Sequence, residues 1–195
     1  MIGFQFDVLS WMLLLIVLLG RRWLLMLLAA LLIVVPLPVG NAVSLLSILR
    51  GLFGSLSVTT VIFLLALALQ NSKRMTVFAG RETRWLPPLI AAVSLLFYPT
   101  ALGLGRLDSY EWGHDEALVL PLTVGVLALM AWLARWRVSA LALVLALALW
   151  RLRMLESTNL WDYLLDPLLA LTALGVLAAR WLQKIRTPRN HSNDK

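Results

Sequence analysis

Residues 117–150 read ALVLPLTVGVLALMAWLARWRVSALALVLALALW. Two apolar runs, Ala117–Leu133 and Val138–Trp150, flank a tight turn at Arg135–Arg137, and those two arginines are the only charges in the stretch. The runs are continuous and rich in Leu and Ala, without the alternation of a half-buried strand, so they predict helices. Neither keeps a polar face, and a helix that is apolar all round belongs in a large core or in lipid. The pair predicts a helical hairpin that enters a bilayer and shows its arginines to water.

Composition carries the same reading over the whole chain. Of its 195 residues, 61% are hydrophobic and 14% charged, where a soluble domain has about 45–50% apolar and about 25% charged residues. A chain of this size cannot hide such an excess beneath a polar shell, and the alternating segments of a β-barrel are absent. There is no cysteine, which removes disulfides, thiolate metal sites and cysteine nucleophiles. The expected fold is all-α: a polytopic transmembrane bundle of about seven spans with one interfacial amphipathic helix. Residues 1–183 form one domain and residues 184–195 a polar cytoplasmic tail.

Working outward from the hairpin, the spans are placed at Phe4–Gly20, Trp23–Val35, Ser55–Gln70, Pro87–Leu104, Ala117–Leu133, Val138–Trp150 and Leu160–Leu182. Arg21 and Arg22 divide the first two, because a central Arg costs roughly 2.5–3.5 kcal/mol to insert. Pro36 and Pro38 end the second. Asn41–Gly54 is the amphipathic segment, with Ser44, Ser47, Gly51 and Gly54 forming a stripe of small residues that suits close helix approach. Asn71–Arg84 reads as a polar loop, and Pro87 and Pro88 suit a helical first turn. Asn159 followed by Asp162 reads as an N-cap with an acidic first turn. Asp7 in place of a basic leader argues against a cleavable signal peptide, so Met1–Lys195 is read as mature.

The positive-inside rule orients the bundle. With the C-terminus cytoplasmic, the outer face keeps only Arg50, Arg106, Arg151 and Arg153 among the basic residues. The same assignment puts Asp7, Asp108, Glu111, Asp115, Glu116, Glu156, Asp162 and Asp166 outside, leaving Glu82 and Asp194 inside. The expected location is a bacterial inner membrane, N-terminus out and C-terminus in.

Two outer clusters are the candidate sites. In the loop Arg106–Glu116, Glu111, His114 and Asp115 supply acid–base or cation-binding groups, weighed against a solvated loop whose charges keep it out of lipid. In the second cluster, Asp162 and Asp166 are spaced one helical turn apart and so share a face, with Arg151 and Arg153 nearby as phosphate-binding groups. Asp166 stands out as an ionisable group read inside a span, against the plainer reading of a kink or cap before Pro167. Arg50 is a further phosphate-binding candidate, against simple snorkelling. Ser55, Ser57, Thr59 and Thr60 either line a polar path or bond back to helix backbone.

The spacing matches no metal site, no cofactor fingerprint or Walker loop appears, and the basic residues are too dispersed for nucleic acid. Absence of midplane charge disfavours ion-coupled transport. The expected partners are membrane lipids and a membrane protein on the Ser44–Gly54 stripe. The leading function is a non-catalytic subunit or scaffold of an envelope process; the alternatives are an enzyme acting on a lipid-linked substrate at the outer face, and a lipid or small-solute transporter.

Overall fold

The computed structural model describes residues 2–19, 48, 51, 54–71, 76–104, 106–114 and 118–186. Among the described residues there are seven α-helices and no strand: α1 (Ile2–Leu19), α2 (Val58–Asn71), α3 (Gly80–Ala101), α4 (Val119–Leu133), α5 (Arg137–Arg151), α6 (Trp161–Leu164) and α7 (Pro167–Arg186). A 3-10 turn lies at Glu111–Gly113. The Arg21–Arg22 turn, the span Trp23–Val35, Ser44, Ser47 and Arg50 lie outside the described residues. Of the small-residue stripe, Gly51 is helical and exposed, whereas Gly54 adopts φ 72°. Gly54 therefore departs from helical geometry, and the stripe does not run its whole length on one helix face.

Helix packing gives the bundle two ends. The hairpin of α4 and α5 packs against α2, which packs in turn against α1, while α3 and α7 form a second pair. Phe6 of α1 joins Val58, Leu120, Trp150 and Tyr163 in one apolar cluster. The starts of α1, α2, α4 and α7 therefore gather at one end with the closing turns of α3 and α5. At the other end, Gln70 Oε1 accepts from Phe78 N–H at 3.3 Å, and Glu82 Oε1 accepts from both Ser139 N–H and Ser139 Oγ at 2.7 Å. Ser139 lies in the first turn of α5, whose exposed amides carry partial positive charge, so a fully buried carboxylate there is electrostatically placed.

Charge sorts along this axis. Among the described residues, the Glu82 end carries Arg81, Arg84, Arg135, Arg137, Arg180, Lys184 and Arg186. The opposite end carries Asp7, Asp108, Glu111, Glu156, Asp162 and Asp166, with only Arg106, Arg151 and Arg153 among the basic residues.

Two helix boundaries correct the sequence expectation. α3 begins at Gly80 rather than at Pro87, so Pro87 and Pro88 are interior and Asn71–Arg84 is not all loop. Interior prolines supply no N–H to the carbonyls four residues earlier, here Thr83 and Arg84. The Arg180 guanidinium of α7 supplies both, at 2.8 and 2.9 Å. The predicted helix Leu160–Leu182 is broken: α6 ends at Leu164, Leu165 is extended (φ −142°, ψ 134°), and α7 starts afresh at Pro167.

Large apolar side chains face outward on α3, α4, α5 and α7, among them Leu96, Leu122, Leu129, Met130, Leu141 and Leu171. Among the described residues, α7 is the one helix long and apolar enough to cross a membrane. The 15 residues of α4 span about 22 Å, short of the roughly 30 Å hydrocarbon thickness.

Helices α3, α4 and α5 end alike. The residue after each C-cap is left-handed: Gly103 (φ 77°), Arg135 (φ 62°) and Arg153 (φ 50°). The next amide bonds back to the last turn, as Trp136 N–H does to Ala131 C=O at 2.8 Å. Glycine is the residue this motif favours, and a side chain there costs roughly 1–2 kcal/mol. Arg135→Gly is expected to stabilise the purified chain by about 0.5–1 kcal/mol, read as a higher thermal midpoint.

Candidate functional site

Asp166 is the N-cap of α7. Its Oδ1 accepts from Leu169 N–H, three residues on, at 2.8 Å, and Pro167 takes the first helical position, where a missing N–H costs nothing. Its Oδ2 accepts from Ser57 N–H at 2.9 Å, Ser57 Oγ at 2.7 Å and the Thr60 hydroxyl. Ser57 is itself the residue before α2, and its Oγ accepts from Thr60 N–H at 3.2 Å. One carboxylate, 3% exposed, thus ties together the starts of two helices. Both positive helix ends point at it, and four donors replace the water it gives up. The Thr59 hydroxyl adds a further tie, to Leu164 C=O at 2.5 Å.

The loop before α4 docks on the segment joining α5 to α7. Leu160 N–H donates to Gly113 C=O at 2.7 Å, Asn159 Nδ2 to Tyr110 C=O at 2.7 Å, and Trp161 Nε1 to Ser109 C=O at 2.8 Å. Asn159 Oδ1 accepts from Trp161 N–H at 2.9 Å, a turn one position ahead of Leu160, which holds the N-cap place of α6, so the expected Asn159 cap is not formed. A Cβ on Gly113 would stand 1.8 Å from Asn159 Oδ1, which makes glycine obligatory at this crossing. Phe97 stacks on Trp161 at a 4.5 Å ring-centroid separation, holding α3 against the same joint.

The Tyr110 hydroxyl donates to Asp162 Oδ2 at 2.9 Å. Burial first, then the hydrogen bond to Asp162 and its charge, push the Tyr110 phenol up to about 12, with a Ser157 contact pulling weakly the other way. The phenol therefore stays a neutral donor.

Beneath this joint lies an open cavity of about 480 Å³, walled by Tyr98, Tyr110 and Leu165 with Glu156, Asp162 and Asp166 contributing carboxylates. The sequence clusters thus meet in part. Asp162 and Asp166 share the cavity, but not as neighbours on one helix face: extended Leu165 separates them, which corrects the expected one-turn spacing. Asp166 caps a helix rather than interrupting one. Glu111 and His114 are exposed, the His114 ring meeting Tyr110 edge-on at 5.8 Å. Asp115 lies outside the described residues. Arg151 is exposed with its guanidinium 5.7 Å from the Trp150 ring, and Arg153 is the left-handed residue that closes α5. Among the described residues no three His, Cys, Asp or Glu side chains gather as a metal would require.

Tyr98 and Tyr110 did not stand out in the sequence reading, and Asn159 and Glu82 stood out only as a helix cap and an inner-face acid. Glu82 and Asn159 also bond to partners more than forty positions away, Ser139 and Tyr110, which no local pattern reveals. A Ser-x-x-Thr pattern at 57–60 and an Asp-Pro pair at 166–167 were legible cap signals.

Comparison with protein-family models, curated proteins and solved structures gives no match to this chain.

Replacing Asp166 by Asn is expected to lower stability by about 2–4 kcal/mol, since it removes the charge and one acceptor while the donors stay buried. Denaturant unfolding of the purified chain measures this, and a change under about 0.5 kcal/mol would contradict the junction. The Tyr110 contribution is present below the ordinary phenol value of about 10 and is lost as pH rises from there through about 12. Tyr110→Phe should accordingly flatten the fall in stability over that alkaline window, followed by thermal melting at successive pH values.

Proposed function

We propose that the chain is a multi-pass helical protein of a bacterial cytoplasmic membrane, with its N-terminus outside and its C-terminus inside. It serves there as a non-catalytic subunit or scaffold of an envelope process. The membrane reading is supported by the outward apolar side chains and by α7. The orientation is supported by the excess of basic side chains at the Glu82 end, seven of the described ones against Arg106, Arg151 and Arg153 at the other, since basic residues collect on the cytoplasmic side.

The observation that carries the non-catalytic reading is the capping role of Asp166. Its four hydrogen bonds, three on Oδ2 and one on Oδ1, come from backbone and hydroxyl donors at two helix starts, so this buried carboxylate is committed to holding the helices together. A second reading, an enzyme acting on a lipid-linked substrate at the outer face, is favoured by one feature. The cavity carries Glu156 and Asp162 beside aromatic walls.

Affinity purification from native membranes in mild detergent separates the two. A stoichiometric protein partner, retained when Asp162 is changed to Asn, is the expected result. A partner-free chain that turns over a lipid, with Asp162→Asn abolishing turnover, would overturn it. Because the chain has no cysteine, single cysteines at Thr158 and Ala134 report the orientation. A membrane-impermeant maleimide should reach the first in intact cells and the second only after permeabilisation.

A further inference from the structure

A second cavity, of about 280 Å³, runs between α2, α3 and α7. It extends along α7 from Leu168 to Arg180, about 18 Å at the helical rise.

The walls are Leu, Phe, Ile, Val and Ala side chains, and the polar groups among them are already engaged. Thr60 donates to Asp166, Thr172 to Leu169 C=O at 2.9 Å, and Gln70 accepts from Phe78 N–H. An apolar slot whose polar groups are satisfied offers little to water and suits a hydrocarbon.

One end of the slot is charged. Arg180 spends two N–H groups on Thr83 and Arg84 carbonyls, leaving others of its five and its full positive charge. Arg81, Arg84, Lys184 and Arg186 belong to the same end, and its acid, Glu82, is buried against Ser139. Trp85 and Trp181 are exposed there, as aromatic residues are at the headgroup level.

We propose that this groove holds one acyl chain of an anionic phospholipid, its phosphate on Arg180 at the basic mouth. The proposal rests on the membrane reading above and assigns the site to the leaflet facing the basic end. Guanidinium recognises phosphate through paired N–H groups, so headgroup charge selects and the slot anchors.

The test is native mass spectrometry of the full chain, purified in detergent and titrated with phosphatidylglycerol or phosphatidylcholine of matched acyl chains. One phosphatidylglycerol per chain is expected, bound about tenfold tighter than phosphatidylcholine. Arg180→Gln should erase most of that preference and Arg180→Lys retain part of it. Val176→Trp fills the slot without touching the mouth, and should abolish binding of both lipids while Arg106→Gln, at the other end, leaves it unchanged. Equal affinity for the two lipids overturns the proposal, as does a Val176→Trp chain that melts normally and binds as before. A second polypeptide in place of lipid also overturns it. If the chain partitions into the aqueous fraction without detergent, the membrane reading itself fails. If it needs detergent and shows no lipid preference, only the groove assignment does.

Discussion

The meeting of two helix starts on the Asp166 carboxylate is the constraint from which the acidic end of the bundle follows. A helix leaves its first amides without internal partners, and burying that end demands acceptors. Here α2 and α7 solve the problem jointly: one oxygen caps α7 through Leu169, and the other takes Ser57 and Thr60 from α2. The break at Leu165 is what frees Asp166 to do so, because an Asp inside a continuous helix could not cap one. Once that junction is set, Leu165 and Leu169 lie against Phe97, and Phe97 brings the Tyr110 and Trp161 rings into contact with α3.

The basic end is organised by a different shortage. Two consecutive prolines in α3 leave carbonyls without donors, and Arg180 reaches across from α7 to supply them. Nearby, Glu82 supplies acceptors to the first turn of α5. Both ties run between helices, so each repairs a local backbone deficit while fixing a tertiary contact. In surroundings that hold no water such repairs are strongly favoured, since an unpaired backbone group there costs several kcal/mol.

These ties bear on function through what they leave over. Two buried carboxylates of the described bundle, Glu82 and Asp166, act as hydrogen-bond acceptors for helix starts. Two of the cavities left between the described helices are an acidic, aromatic one at one end and an apolar slot with a basic mouth at the other. Among the described residues, large apolar side chains face outward on α3, α4, α5 and α7.

By itself the sequence determined the all-α class, the α4–α5 hairpin and the unlike charge of the loops. These depend on composition and on runs of adjacent residues, which any reader of the chain can see. It also marked Asp166 as unusual, through its apolar surroundings and the proline that follows. Only the tertiary structure decided that Asp166 joins two helices, that Pro87 and Pro88 lie inside α3, and that residues 106–114 dock on residues 155–165. The reason is the range of the interactions: Asp166 reaches Ser57 across 109 positions and Arg180 reaches Thr83 across 97. A hydrogen bond between such distant residues leaves no period in the sequence. It exists only once packing has brought the donors within reach.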